Sequence, residues 1–207
     1  MNTSGNLKVE TCPQCGAPAQ LSSRRCGYCE AEFIVTSLAC LDSLDKTGVQ
    51  KYVSHYRKKL AEEPESGELH LAMGICYLDL SLHDLAAKSF AKAVEAQPEN
   101  ADNYYYHALA IIKGRKLKLL TLNDARDIES YLAAASQLNP EKAVFRQLLL
   151  AVKYEFYLKN GLKVPAPSVD EILAEIESCD CDPESTARLL KHVPIHDQDL
   201  LMALSRD

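Results

Sequence analysis

The sequence predicts a mainly α-helical fold preceded by a small cysteine-rich module. Amphipathic segments recur after residue 36, and three of them are closed by Pro64, Pro98 and Pro140. Two Cys-x-x-Cys pairs fall within the first 35 residues. A chain of 207 residues that is 47% hydrophobic and 25% charged is long enough for one buried core plus a small module.

The segment 67–100 carries the pattern of a tight helical hairpin. Small residues are needed where two helix axes approach, and larger knobs are needed where the next hairpin packs. The positions that meet these needs are Gly74, Tyr77, Ala86, Phe90, Ala93 and Pro98. Their spacing closely resembles the consensus of the tetratricopeptide repeat (TPR) family, whose period is about 34 residues. The resemblance implies a TPR-like α-α solenoid that acts as an interaction scaffold.

The flanking segments extend this pattern. Pro64 precedes Pro98 by 34 residues, and Tyr56 falls on the position held by Phe90, so 36–64 is predicted to be a connecting helix and a half repeat. Tyr52 stands where the family prefers alanine, which leaves its packing open. A second repeat ends at Pro140, with extra residues inserted at 115–122. The predicted division is therefore 1–35, 36–64, 65–140 and a C-terminal helical cap at 141–207.

Local signals place further elements. Thr36 or Ser37 is expected to cap a helix that runs to Asp45, Gly48 to mark a turn, and 49–63 to form the next helix. A short strand is expected at 33–35. In the C-terminal cap, the sequence predicts a helix over 141–160 ended by Gly161, a helix capped by Ser168, a helix begun by Asp182 and Pro183, and a last short helix.

The two Cys-x-x-Cys pairs predict a metal site. A two-residue spacer lets both sulfurs of a pair reach one ion from a tight turn, and a glycine after the second ligand can take the left-handed conformation. The four ligands would be Cys12, Cys15, Cys26 and Cys29. The pattern resembles the zinc-ribbon family over the first 35 residues, which implies one structural Zn²⁺ that supplies folding energy to the module.

Two other chemistries remain open for these cysteines: a redox dithiol of the thioredoxin type, and iron in place of zinc. Eight cysteines in a chain without an apolar leader indicate thiols or metal ligands in a reducing cytoplasm, and no run approaches the length of a membrane span. Glu30 departs from the zinc-ribbon pattern, since the second turn would often carry glycine there. We expect this departure to relax the turn slightly.

The charge balance gives little support to nucleic-acid binding. The chain has a net charge of −6, and its first 35 residues are neutral. Arg24 and Arg25 are the candidate nucleic-acid contacts, and two arginines are few for the phosphate contacts that such binding needs. A nucleic-acid-associated factor is therefore kept as an alternative function.

The TPR resemblance also places a partner-binding groove along the first helices of the repeats. The residues it assigns to that groove are Leu71, Ile75, Leu78, Asp79, Tyr105, Leu109, Ile112 and Lys113. Leu71 and Ile75 stand where chaperone-binding members clamp a peptide carboxylate, so that clamp is absent. A mostly apolar groove requires a cover, either an amphipathic helix of a partner or the C-terminal helices of this chain.

The insertion at 115–122 is basic and then leucine-rich. It could dock an acidic partner or a membrane surface. The preferred interpretation is a longer hairpin whose leucines pack inward while its lysines remain solvated.

No enzyme motif accompanies these features. The chain lacks a P-loop, a nucleophile elbow, a metalloprotease helix and a dinucleotide fingerprint. The sequence therefore predicts a cytoplasmic, non-enzymatic adaptor that binds protein partners. The alternatives are the nucleic-acid-associated factor and a self-assembling structural subunit, the latter a homo-oligomer.

Overall fold

A computed structural model describes residues 11–19, 23–179 and 181–204, and this part of the chain is mainly α-helical, as predicted. It contains nine α-helices: α1 (Lys46–Glu62), α2 (Gly67–Asp79), α3 (His83–Ala96), α4 (Ala101–Ile112), α5 (Leu122–Leu138), α6 (Ala143–Val152), α7 (Val169–Glu177), α8 (Pro183–His192) and α9 (Gln198–Leu204). Pairing between extended segments in these ranges is limited to isolated bridges, so the strand predicted at 33–35 is wrong.

The first helix begins earlier than predicted. The side chain of Asp45 accepts a hydrogen bond of 2.8 Å from the backbone N–H of Gly48, which caps α1 and draws Gly48 into its first turn. The predicted turn at Gly48 is therefore wrong. The helix predicted after Thr36 or Ser37 is also wrong, because only a single 3₁₀ turn forms at Leu38–Leu41.

The central helices have strong local start signals. Ser66 caps α2, Asn100 caps α4, and Thr121 forms a capping box with Asp124 at the start of α5. Helices α1, α3 and α5 end two residues before Pro64, Pro98 and Pro140, because a proline disfavours helical geometry in the residue that precedes it.

Each helix from α1 to α6 packs against the next one along the chain. The close approach between α2 and α3 occurs at Gly74, over which the Phe90 ring lies. Phe90 in turn stacks on Tyr106 of α4 with ring centroids 5.8 Å apart. Ala86 and Ala93 are fully buried, so small residues occupy the tightest positions of this packing.

The C-terminal third packs back onto this body. After α6 the chain continues as a π-helical turn (Lys153–Tyr157) and a 3₁₀ turn. This helical segment ends at Gly161, which takes the left-handed conformation, as predicted. Helix α6 contacts α7 and α8. The predicted caps of α7 and α8 are confirmed at Ser168 and Asp182. None of the described helices is both long enough and apolar enough to cross a bilayer.

Candidate metal centre

The two cysteine turns have the same backbone geometry. In the first turn, Cys12 N–H donates to the Ala17 carbonyl (2.8 Å) and Gly16 N–H donates to the Cys12 carbonyl (3.0 Å). In the second turn, Cys26 and Glu30 repeat both bonds at 2.9 Å. Each turn thus folds its second cysteine back over the first.

Glu30 occupies the position that Gly16 holds in the first turn, and it takes the same left-handed conformation. Its φ is 59°, against 73° for Gly16. The expectation that Glu30 relaxes the turn is therefore wrong. The two backbone hydrogen bonds of the turn hold Glu30 in the left-handed conformation. Because Glu30 has a β-carbon, this conformation carries a steric cost that glycine avoids.

The four sulfurs lie within 4.8 Å of one another. Sγ of Cys12 is 3.6 Å from Sγ of Cys29, and Sγ of Cys15 is 3.6 Å from Sγ of Cys26. A tetrahedral ion with metal–sulfur bonds of about 2.3 Å needs sulfurs about 3.8 Å apart. The donor set thus fits one metal ion held by four thiolates, and no other such group occurs within the ranges that the structure describes.

The site lies half inside the protein. Cys12 and Cys26 are buried with Phe33 in a small apolar cluster, whereas Cys15 and Cys29 are exposed. The tip of the second turn projects outward, and Tyr28 is 78% exposed there. One side of the centre therefore faces the helical body and the other faces solvent.

The protein environment sets the thiol pKa values apart. Hydrogen bonds from the backbone N–H groups of Tyr28 and Cys29 lower the pKa of Cys26 to about 7. A backbone bond with Ala31 lowers the pKa of Cys29, but burial and the neighbouring sulfurs outweigh it and raise that pKa to about 12. Burial raises the pKa of Cys12. Without a metal ion, the cluster therefore retains protons at neutral pH.

Helix α1 holds the first cysteine turn through Gln14. The Gln14 side-chain amide donates to the Gly48 carbonyl at 2.8 Å, and Lys51 Nζ donates to the Gln14 carbonyl at 3.3 Å. Gln14 also donates its backbone N–H to Cys12 Sγ at 3.4 Å. Gln14, which precedes the ligand Cys15, is therefore bonded to α1 through both its side-chain amide and its backbone carbonyl.

Two tyrosines of α1 hold the segment after the second turn. The Tyr52 hydroxyl donates to the Glu32 carbonyl, and the Tyr56 hydroxyl donates to the Phe33 carbonyl while it accepts from Val35 N–H. Both tyrosines are buried, and burial raises the pKa of each. Tyr52, at the position where the TPR family prefers alanine, thus anchors the cysteine module. No sequence spacing marks Tyr52 for this role, since its partner is a backbone carbonyl.

The two arginines proposed as nucleic-acid contacts have acidic neighbours. Both are exposed on the cysteine module. Arg25 pairs with Glu32 at 2.9 Å. Burial raises the pKa of the Glu68 carboxyl, and the positive charge of Arg24 partly opposes that rise. A phosphate group bound at Arg25 would have to displace the Glu32 carboxylate.

The predicted groove does not form an open surface. Its six apolar members are buried in the protein core, at 0–7% exposure, and only two members reach solvent. The buried members are Leu71, Ile75, Leu78, Tyr105, Leu109 and Ile112, and the two others are Asp79 and Lys113. The expectation of a mostly apolar groove open to a partner therefore needs correction.

Segments of the same chain lie over these helices. The Tyr105 ring packs on Phe145 of α6 with centroids 5.3 Å apart. The 3₁₀ turn at Leu38–Leu41 contacts α2. Arg188 of α8 bonds Asp42, which follows that turn, at 3.2 Å. The segment before α1 and the C-terminal helices thus lie where the sequence analysis allowed for a partner's helix.

The insertion packs only in part as predicted. Leu117 and Leu120 are buried, whereas Leu119 and Leu122 are 66% and 44% exposed. The expectation that all of these leucines turn inward is therefore wrong for two of them. Leu117 and Leu120 anchor the segment and leave Leu119 at its outer edge.

Comparisons with known proteins assign no family to this arrangement: no protein-family model matches the chain, and no curated protein matches it.

Proposed function

We propose that this protein is a non-enzymatic, zinc-organised adaptor for protein–protein interaction. The observation that carries the proposal is the tetrathiolate cluster, in which the four sulfurs lie within 4.8 Å of one another. Zinc is the ion that four cysteines in two Cys-x-x-Cys turns suit best, and a closed four-sulfur shell leaves no position for substrate. The metal is therefore structural in this proposal.

Two consecutive helix pairs support the scaffold role, because a TPR-like body is built from such pairs. Two helix pairs, α2 with α3 and α4 with α5, follow each other, and the insertion lies between the helices of the second pair. The glycine and alanine positions of the repeat pattern lie at close helix contacts or in the core. Such a body would carry the cysteine module as a rigid projection.

The partner surface in this proposal is the outer face of the cysteine module. Tyr28 is held out on a turn whose two ends would be fixed by metal bonds. An exposed aromatic side chain on a rigid support loses little entropy on binding and often dominates an interface. The buried groove members would contribute through the stability of the body rather than through contact.

Affinity capture from a nuclease-treated lysate would test this role. The wild type would be compared with Tyr28→Ala and with Leu119→Ala, which removes an exposed apolar side chain from the insertion instead. The proposal expects partners to be lost with Tyr28→Ala and after zinc removal, and to be kept with Leu119→Ala. Loss of the same partners with Leu119→Ala alone would move the working surface to the insertion.

A further inference from the structure

A cleft of about 390 Å³ lies between the cysteine module and α1. Cys12 and Pro13 form its wall on the module side. The facing surface of α1 presents hydroxyl, amide, imidazole and ammonium groups and no carboxylate. Its residues are Thr47, Gln50, Lys51, Ser54, His55 and Lys58.

The two lysines of this cleft lack acidic partners. Within the described part of the chain, neither Lys51 nor Lys58 forms an ion pair with a carboxylate, whereas the adjacent Lys59 pairs with Glu62 at 3.1 Å. Unpaired positive charges directed to one cleft are notable in a chain with a net charge of −6. They would repel each other unless a negative group lies nearby.

The metal centre supplies that negative group. Zn²⁺ with four thiolates carries a net charge of −2, and Cys12, one of its ligands, lines the cleft. Lys51 is attached to the centre through Gln14, whose carbonyl it binds at 3.3 Å and whose N–H contacts Cys12 Sγ at 3.4 Å. The two positive charges of the lysines would cancel the two negative charges of the loaded centre, which leaves no net positive charge in the cleft for an external anion.

We infer that Lys51 and Lys58 of α1 are charge-balancing residues of the zinc centre. They stabilise the bound tetrathiolate from the helical body, so that metal affinity depends on a helix that supplies no ligand. Groups around a metal shell commonly change affinity by about 10–100-fold. The inference rests on the proposed zinc site and specifies which residues outside the four ligands support it.

The test uses the full-length protein and measures zinc affinity by competition with a chromogenic chelator. The test variant is Lys51→Gln plus Lys58→Gln. The matched control is Lys88→Gln plus Lys92→Gln, which removes two exposed lysines of α3 and makes the same change in net charge. A third variant, Lys51→Arg plus Lys58→Arg, keeps both charges.

The test variant should bind zinc about tenfold more weakly than wild type, and added salt should narrow this difference because salt screens the attraction. The control and the arginine variant should remain within about twofold of wild type. The urea midpoint of the metal-free protein should match between the test and control variants, since the inferred interaction exists only with metal bound.

Two results would overturn the inference while leaving the zinc site intact: equal affinities in the test and control variants, or a loss of affinity matched by a loss of stability in the metal-free protein. A wild type that binds no zinc would instead refute the proposed function itself. The two failures are therefore distinguishable in one titration series.

Discussion

Gly74 of α2 lies directly beneath the ring of Phe90 in α3. A β-carbon built on Gly74 would lie 2.5 Å from Cε1 of that ring, a distance that real β-carbons do not reach. The pair therefore sets how closely the two helices approach, and it explains why a residue of poor helix propensity occupies the middle of α2.

Gly74→Ala should destabilise the protein by about 1–3 kcal/mol, because overpacking outweighs the helix propensity gained with alanine. Urea unfolding would measure this change. Gly67→Ala is the control, since the atoms nearest to a β-carbon there belong to the flexible side chain of Gln97, which can move aside. Adding Phe90→Leu to Gly74→Ala should recover part of the loss, and a strictly additive double variant would contradict the proposed contact.

The buried Lys153 is held by Glu129. Lys153 is fully buried in the π-helical turn after α6, and its Nζ lies 2.9 Å from a Glu129 carboxylate oxygen and 3.1 Å from the Pro165 carbonyl. Glu129→Gln should cost about 3 kcal/mol or more in unfolding free energy, because it leaves a buried ammonium without its counter-charge. The double variant with Lys153→Met should cost less than the sum of the two single changes.

Glu30 and Gly16 offer opposite substitutions at equivalent positions of the two cysteine turns. Glu30→Gly should stabilise the zinc-loaded protein by up to about 1 kcal/mol, because glycine removes the steric cost of the left-handed conformation. Gly16→Ala should destabilise it by a similar amount, since its φ is 73° and space itself is not limiting there. Thermal denaturation of the loaded protein would measure both, and changes of the same sign would contradict this account.

Acidification should release the metal ion. In the absence of metal, the raised pKa values of Cys12 and Cys29 keep both thiols protonated at neutral pH, so zinc must displace their protons. Protons compete more strongly as the pH falls, and zinc affinity should therefore rise with pH and fall on acidification. Chelator competition across a pH series would measure this, together with the protons released on binding. An affinity independent of pH would contradict thiolate ligation.

The burial of Leu71 has a practical consequence for binding studies. Leu71→Glu should destabilise the body by several kcal/mol, because it places a charge in the core, whereas Asp79→Asn at the solvent-accessible end should change stability little. Urea unfolding of both variants would test this contrast. A stably folded Leu71→Glu protein would show that the helices over α2 move aside easily.

Features with local signals were predictable from the sequence. The spacing of Cys12, Cys15, Cys26 and Cys29 indicates the metal-binding cluster, and Ser168 and Gly161 mark helix ends through hydrogen bonds and backbone conformations that involve near neighbours. Asp45 shows the limit of such signals. The sequence pattern placed Asp45 at the end of a helix and Gly48 in a turn, whereas the Asp45 side chain caps the start of α1 by accepting a hydrogen bond from Gly48 N–H.

Features that depend on distant residues were not predictable. The contact of Arg188 with Asp42 joins segments 146 residues apart, and no periodicity indicates that these segments cover α2 and α4. The sequence leaves the packing of Tyr52 open because the repeat family prefers alanine at its position, and in the structure its hydroxyl bonds the Glu32 carbonyl of the cysteine module. Sequence patterns describe a helix face, whereas the partner of that face is settled only by the packed structure.

The zinc content of the purified full-length protein tests the central proposal most directly. Native mass spectrometry would compare wild type with Cys15→Ser plus Cys29→Ser, which removes one ligand from each turn at exposed positions. We predict one zinc ion per wild-type chain and its loss from the variant. A wild-type chain that carries no zinc under conditions that keep its cysteines reduced would contradict the zinc-organised adaptor.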